Sequence, residues 1–104
     1  MGKVVYNNCF GGFRLSAEAV RLGKLYSPDD AFWQDVDERY GFFRGPRHDP
    51  TLVRVVEELG VSANVNTSCL RIEELPSGTL YRIDEYDGNE TVETHDTVEW
   101  TVLP

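Results

Sequence analysis

Residues 69–93 read CLRIEELPSGTLYRIDEYDGNETVE, short runs of alternating apolar and polar side chains broken at Pro-Ser-Gly and at Asp-Gly-Asn. A period of two is the signature of strands with one wet and one covered face, and the breaks carry turn chemistry. The spacing predicts a strand over Cys69 to Leu75, a turn at Pro76-Ser77-Gly78, and a second strand over Thr79 to Tyr86. Asp87-Gly88-Asn89 is then a turn into a third strand from Thr91. Val92, Val98, Trp100 and Val102 alternate with Thr91, Glu93, His95, Glu99 and Thr101, so DTVEWTVLP continues that strand, with His95 on its polar face.

Upstream of residue 61 the pattern has the helical period. Ser16 suits an N-cap, Glu18 complements the helix dipole, and Leu15, Ala19, Leu22 and Tyr26 share one stripe, which predicts a helix to about Tyr26. Ser27 and Pro28 predict a second, short start, with Phe32, Trp33, Val36 and Tyr40 near one face and Gly41 as the stop. Asp49 caps and Pro50 opens the clearest helix, whose stripe is Leu52, Val55, Val56 and Leu59 and whose end is Gly60. Lys3 to Asn7 reads as a first strand. The expected fold is a single α+β domain over residues 1–104: a short N-terminal strand, two to three helices, then an antiparallel three-stranded meander with the helices packed on one face.

A chain of 104 residues with 40% apolar content is long enough to bury a core without a metal or a disulfide framework. Residues 1–54 hold eight Lys/Arg against seven Asp/Glu, or +1, and residues 55–104 hold two against eleven, or −9. Such a chain repels a phosphate backbone, so nucleic acid is excluded as a general partner, while a local cluster of donors still suffices for a small anion. The longest apolar runs fall well short of the roughly 18 residues of a membrane span, and the start lacks a signal-peptide layout, so no membrane role is expected. Cys9 and Cys69 read as free buried thiols, and with only His48 and His95 beside them neither a metal site nor a cofactor is expected.

Two stretches carry chemistry. In Asn8 to Ser16 (NCFGGFRLS) a glycine pair sits between a strand and a helix start, where backbone N–H groups and Arg14 suit phosphate or carboxylate, although the spacing is that of neither a nucleotide-hydrolysing loop nor a dinucleotide fold. The competing reading is a tight turn over packed Phe10 and Phe13. In FFRGPRH (42–48), Arg44, Arg47 and His48 adjoin Phe42 and Phe43, a mixture suited to phosphate binding with ring stacking, or else arginines paired with the acidic half. The expected ligand set is Asn8, Gly11, Gly12, Phe13, Arg14, Ser16, Phe43, Arg44, Arg47 and His48, with no catalytic residue, and it requires the two stretches to meet. The acidic turn Asp84 to Glu90 lacks calcium-loop spacing, and a Cys9 nucleophile paired with His48 or His95 has no supporting motif.

The motifs NNCFGGFRLS (7–16), RHDPTLVRVVEELG (47–60) and ELPSGTLYRIDEYDG (74–88) together resemble a family of small bacteriophage- and prophage-encoded proteins. The resemblance implies a viral protein acting in the host bacterial cytoplasm, and it brings no catalytic residue or ligand with it. The expected function is sequestration of a small anionic, nucleotide-derived ligand such as a host immune signal, an anti-defence role, by a homo-oligomer. The alternatives are an acidic module that inhibits a host protein through Glu93 and Glu99, and a small nucleotide-degrading hydrolase using Cys9, His48 or Glu90.

Overall fold

The computed structural model describes residues 2–94, a mixed α+β chain. Its elements are β1 (Gly2–Asn7), α1 (Ala17–Tyr26), α2 (Ala31–Gln34), α3 (Pro50–Leu59), β2 (Leu70–Leu75), β3 (Tyr81–Tyr86) and β4 (Asn89–Thr94), with a 3-10 turn at Gly60–Ala63. The expected continuation of the third strand through His95 to Val102 lies outside the described residues.

The strands form two antiparallel pairs, which corrects the expected three-stranded meander. β1 pairs with β2, Val5 opposite Ile72 and Asn7 opposite Leu70, while β3 pairs with β4, Ile83 opposite Val92. The reason lies in the turns. Asp87 and Gly88 both have positive φ (52° and 89°), the two-residue type I′ geometry whose twist suits a hairpin. At Pro76-Ser77-Gly78-Thr79 only Gly78 has positive φ (85°), the pattern of a type II turn, which splays the chains it joins. β2 therefore leaves β3 unpaired and takes the N-terminal strand as its neighbour.

Helices cover one face of the β1–β2 pair. Val5 is buried there with Leu15, Ala19 and Val20 from the first helix region, Trp33 and Val36 from the second, and Leu52, Val53, Val55 and Val56 from α3, while Leu70 and Ile72 pack at the edge. Asp49 sets the register: one carboxylate oxygen accepts from the Leu52 N–H (2.9 Å), capping α3, and from Trp33 Nε1 (3.0 Å). Trp33 is fully buried and its ring lies 4.7 Å from that of Phe43. Ser16 caps α1 as expected, accepting from the Ala19 N–H. The second helix departs from expectation. Asp30, not Ser27, caps it by accepting from the Phe32 N–H, and Ser27 instead closes α1, its N–H donating to the Gly23 carbonyl. Phe32 and Tyr40 remain about half exposed.

A surface cluster joins α1 to α3. Tyr26 Oη donates to Glu58 (2.5 Å), Arg54 Nε donates to the same carboxylate (2.9 Å), and the Arg54 guanidinium lies 3.7 Å over the Tyr26 ring. The Tyr26 hydroxyl first, then Arg54, hold the Glu58 carboxyl below its ordinary value. A depressed folded pKa stabilises the fold above the unfolded value and loses that contribution as pH falls through the folded one. Glu58→Gln is therefore expected to flatten the acid limb of the Tm–pH curve below the ordinary Glu range, with a small change at neutral pH because the cluster is exposed.

Candidate functional site

The two chemically suggestive stretches touch through Phe13 and Arg14: the Arg47 guanidinium lies 3.7 Å over the Phe13 ring and the Arg14 guanidinium 5.6 Å over Phe42, while the Gly11-Gly12 turn on which the ligand reading depends packs against Thr67 and Gly88 instead. Next to them, the Leu15 N–H donates to the Gly41 carbonyl (2.8 Å) and Arg14 Nε to the Tyr40 carbonyl (2.8 Å). Their arginines, however, face different surroundings.

Arg47 turns inward. It makes a two-pronged pair with Glu90, Nη1 to Oε1 at 2.6 Å and Nη2 to Oε2 at 2.9 Å, and Glu90 is only 5% exposed. Glu90 Oε1 also accepts from the Asn7 N–H (2.9 Å), and the Arg47 carbonyl accepts from the Val5 N–H (2.9 Å). Val5 and Asn7 are the β1 residues whose backbone groups point away from β2, so loop and hairpin together cap the open edge of that strand. Fully buried Asn7 completes the joint: Nδ2 donates to the carbonyls of Cys9 (2.7 Å) and Gly88 (2.8 Å), and Oδ1 accepts from the Cys69 N–H (2.8 Å). The Arg47 charge is thereby neutralised inside the fold.

The glycine turn is also occupied by protein. A Cβ on Gly11 would stand 1.7 Å from the Thr67 carbonyl oxygen, and a Cβ on Gly88 would stand 2.3 Å from the Phe10 oxygen and 2.6 Å from the Gly12 nitrogen. The hairpin tip thus packs against the turn. Phe13 lies beneath Arg47, Phe43 is buried against Trp33, and the Ser16 hydroxyl, besides capping α1, donates to the Ser62 carbonyl (2.7 Å). Exposed Asn8 is held through its N–H to the Cys69 carbonyl.

The exposed side of the loop is different. Tyr40 and Phe42, 46% and 52% exposed, lie with ring planes 15° apart and centroids 6.2 Å apart. Arg14 is over Phe42 (5.6 Å) and Arg39 is over Tyr40 (5.4 Å), so two guanidinium groups flank two rings. Exposed Arg44 follows two residues on and makes no ion pair among the described residues. Of the expected ligand set, Arg14 belongs to this face and Arg44 is exposed two residues beyond Phe42. Arg39, Tyr40 and Phe42 were not in that set, and their signal was the spacing of aromatic and arginine residues on both sides of Gly41.

His48 is separate. Its Nδ1 shares a 2.5 Å hydrogen bond with Tyr81 Oη beside a cleft of about 360 Å³ lined by Lys3, Val4, Leu75 and Thr79. Burial pushes the Tyr81 phenol above its ordinary value, so it stays protonated at neutral pH. The single Cys9 S–H has the Thr67 carbonyl (3.0 Å) and Asn7 Oδ1 (3.5 Å) within reach as acceptors, and so is engaged elsewhere than at His48. Among the described residues no three His, Cys, Asp or Glu side chains gather closely enough to hold a metal ion, and no helix is long and apolar enough to cross a membrane. Compared with family models, curated proteins and solved structures, the chain has no match.

Proposed function

We propose that this α+β domain is a non-enzymatic binding protein that sequesters a phosphate-bearing small molecule on the face formed by Arg14, Arg39, Tyr40, Phe42 and Arg44. The observation that carries the reading is the flanked ring pair: a planar base stacks on Phe42 or Tyr40, and guanidinium forks at either end take up phosphate. The resemblance of three motifs to phage proteins adds the context of an infected bacterium's cytoplasm and a nucleotide-derived immune signal as ligand. A homo-oligomer fits this proposal, because half-exposed Phe32, Tyr40 and Phe42 offer an aromatic surface on which a second copy would close over the ligand.

The other readings have less support from the geometry. Glu93, named for an acidic docking face, is paired with Arg82 (2.7 Å), and Glu99 lies outside the described residues. Glu90, named for a hydrolase, is committed to Arg47 and Asn7. Calorimetric titration of the full chain with cyclic mononucleotides, cyclic dinucleotides and ADP-ribose tests the proposal. At least one is expected to bind with a Kd of about 10 μM or tighter. Phe42→Ala is expected to weaken it about tenfold, since stacking on an aromatic side chain contributes about 1–3 kcal/mol per base. No heat from any member of the series would reject the reading.

A further inference from the structure

Cys9 and Cys69, far apart in sequence, come together where the β1–β2 pair ends. The Asn8 N–H donates to the Cys69 carbonyl (2.8 Å), and one atom, Asn7 Oδ1, receives both the Cys69 N–H (2.8 Å) and the Cys9 thiol (3.5 Å). The Cys69 backbone and the Cys9 sulfur therefore flank a single oxygen atom, the proximity from which a disulfide would form. Both thiols are free, Cys69 is exposed and Cys9 half-buried. The nearby Cys9 thiol raises the Cys69 pKa, so Cys69 is mostly protonated at neutral pH and reacts through its small thiolate fraction.

We infer that Cys9 and Cys69 form a reversible disulfide when the protein meets hydrogen peroxide, so that the end of the β1–β2 pair is an oxidation site. The exposed Cys69, as thiolate, attacks one peroxide oxygen; the O–O bond breaks, and the departing hydroxide takes a proton to become water. Cys69 is then a sulfenic acid. The Cys9 thiolate attacks that sulfur, the S–S bond forms, and the sulfenic hydroxyl leaves as a second water after protonation. Two thiols are oxidised to one disulfide while one peroxide is reduced to two waters. The bond closes a loop of about 60 residues, which restrains the unfolded chain strongly.

The test uses the full wild-type chain treated with one equivalent of hydrogen peroxide, then analysed by intact mass, peptide mapping and thermal melting. The expected result is a monomeric product lighter by two hydrogens, a Cys9–Cys69 cross-linked peptide, and a Tm about 10 °C or more above the reduced form. Dithiothreitol should reverse all three. Either Cys9→Ser or Cys69→Ser should abolish the cross-link, and the wild-type mass and peptide map stand even where a variant folds poorly. Oxygen added to Cys69 with Cys9 still alkylatable, or a disulfide joining two copies, would overturn the inference.

Discussion

Glu90→Ala is expected to destabilise the chain by about 3 kcal/mol, because removing one partner of a buried ion pair strands the other. The side chains of Glu90 and Arg47 are 7% and 19% exposed, so Arg47 would keep its charge with little water to replace the carboxylate. The Asn7 N–H, which donates to Glu90 Oε1, would be orphaned as well, and a buried unpaired donor costs about 1–3 kcal/mol by itself. Thermal melting should show a fall in Tm of about 15 °C for a domain of this size. Glu90→Gln, which retains an acceptor for the Asn7 N–H, should fall between. A cycle of Arg47→Met, Glu90→Leu and the double variant Arg47→Met/Glu90→Leu should show the double variant more stable than the sum of the single losses, because an apolar pair leaves no stranded charge. Additive losses would mean that Arg47 and Glu90 do not act as one unit.

Gly11→Ala is expected to cost about 2–3 kcal/mol through overpacking, and more than Gly12→Ala. The two glycines differ in what they require. At Gly11 an added Cβ would meet backbone: the Thr67 oxygen at 1.7 Å and the Thr67 carbonyl carbon at 2.5 Å, neither of which yields by side-chain rotation. At Gly12 the space is open, but φ is +90°, so alanine incurs a conformational penalty of about 1–2 kcal/mol and no clash. Urea melts of the two variants check the order. Equal losses would show that Thr67 moves aside freely and that the close approach has no energetic weight. The contrast bears on what the turn is for, since a close backbone packing at Gly11 and a positive φ at Gly12 account for both glycines without a ligand.

Local chemistry made much of this fold legible. Asp49-Pro50 and Gly60 mark α3 at both ends because each does its work within one turn of helix, and Ser16 marks α1 for the same reason. The period-2 runs after residue 69 locate the strands. Which strands pair depends on turn type and long-range packing. Asp-Gly is a hairpin signal whereas Pro-Ser-Gly is not, a distinction present in the sequence, but nothing local says that Lys3 to Asn7 lies beside Leu70 to Leu75. At the site, a meeting of the two loops at Gly11-Gly12 is a condition of the ligand reading that the sequence leaves open, and the direction of each arginine is not legible in it. Glu90 sits on a hairpin whose neighbours Glu85 and Asp87 are exposed, so only the docking of that hairpin on Asn7 turns its carboxylate toward Arg47. Phe42 and Phe43 are adjacent and equally apolar, yet one is in the core against Trp33 and the other is on the surface beside Arg14.

The division of the arginines, Arg47 built into the fold and Arg14, Arg39 and Arg44 left on an aromatic face for a phosphate-bearing ligand, is the central claim. An NMR titration of the isotopically labelled full chain with the tightest-binding nucleotide from the calorimetric series tests it most directly. The expected result is saturable shifts at the amides of Arg14 and of residues 39–44 and in the Tyr40 and Phe42 rings, with the Arg47 guanidinium signals unmoved. Shifts confined to Gly11, Gly12 and the Arg47 guanidinium, or no shifts at any of these positions, would contradict it.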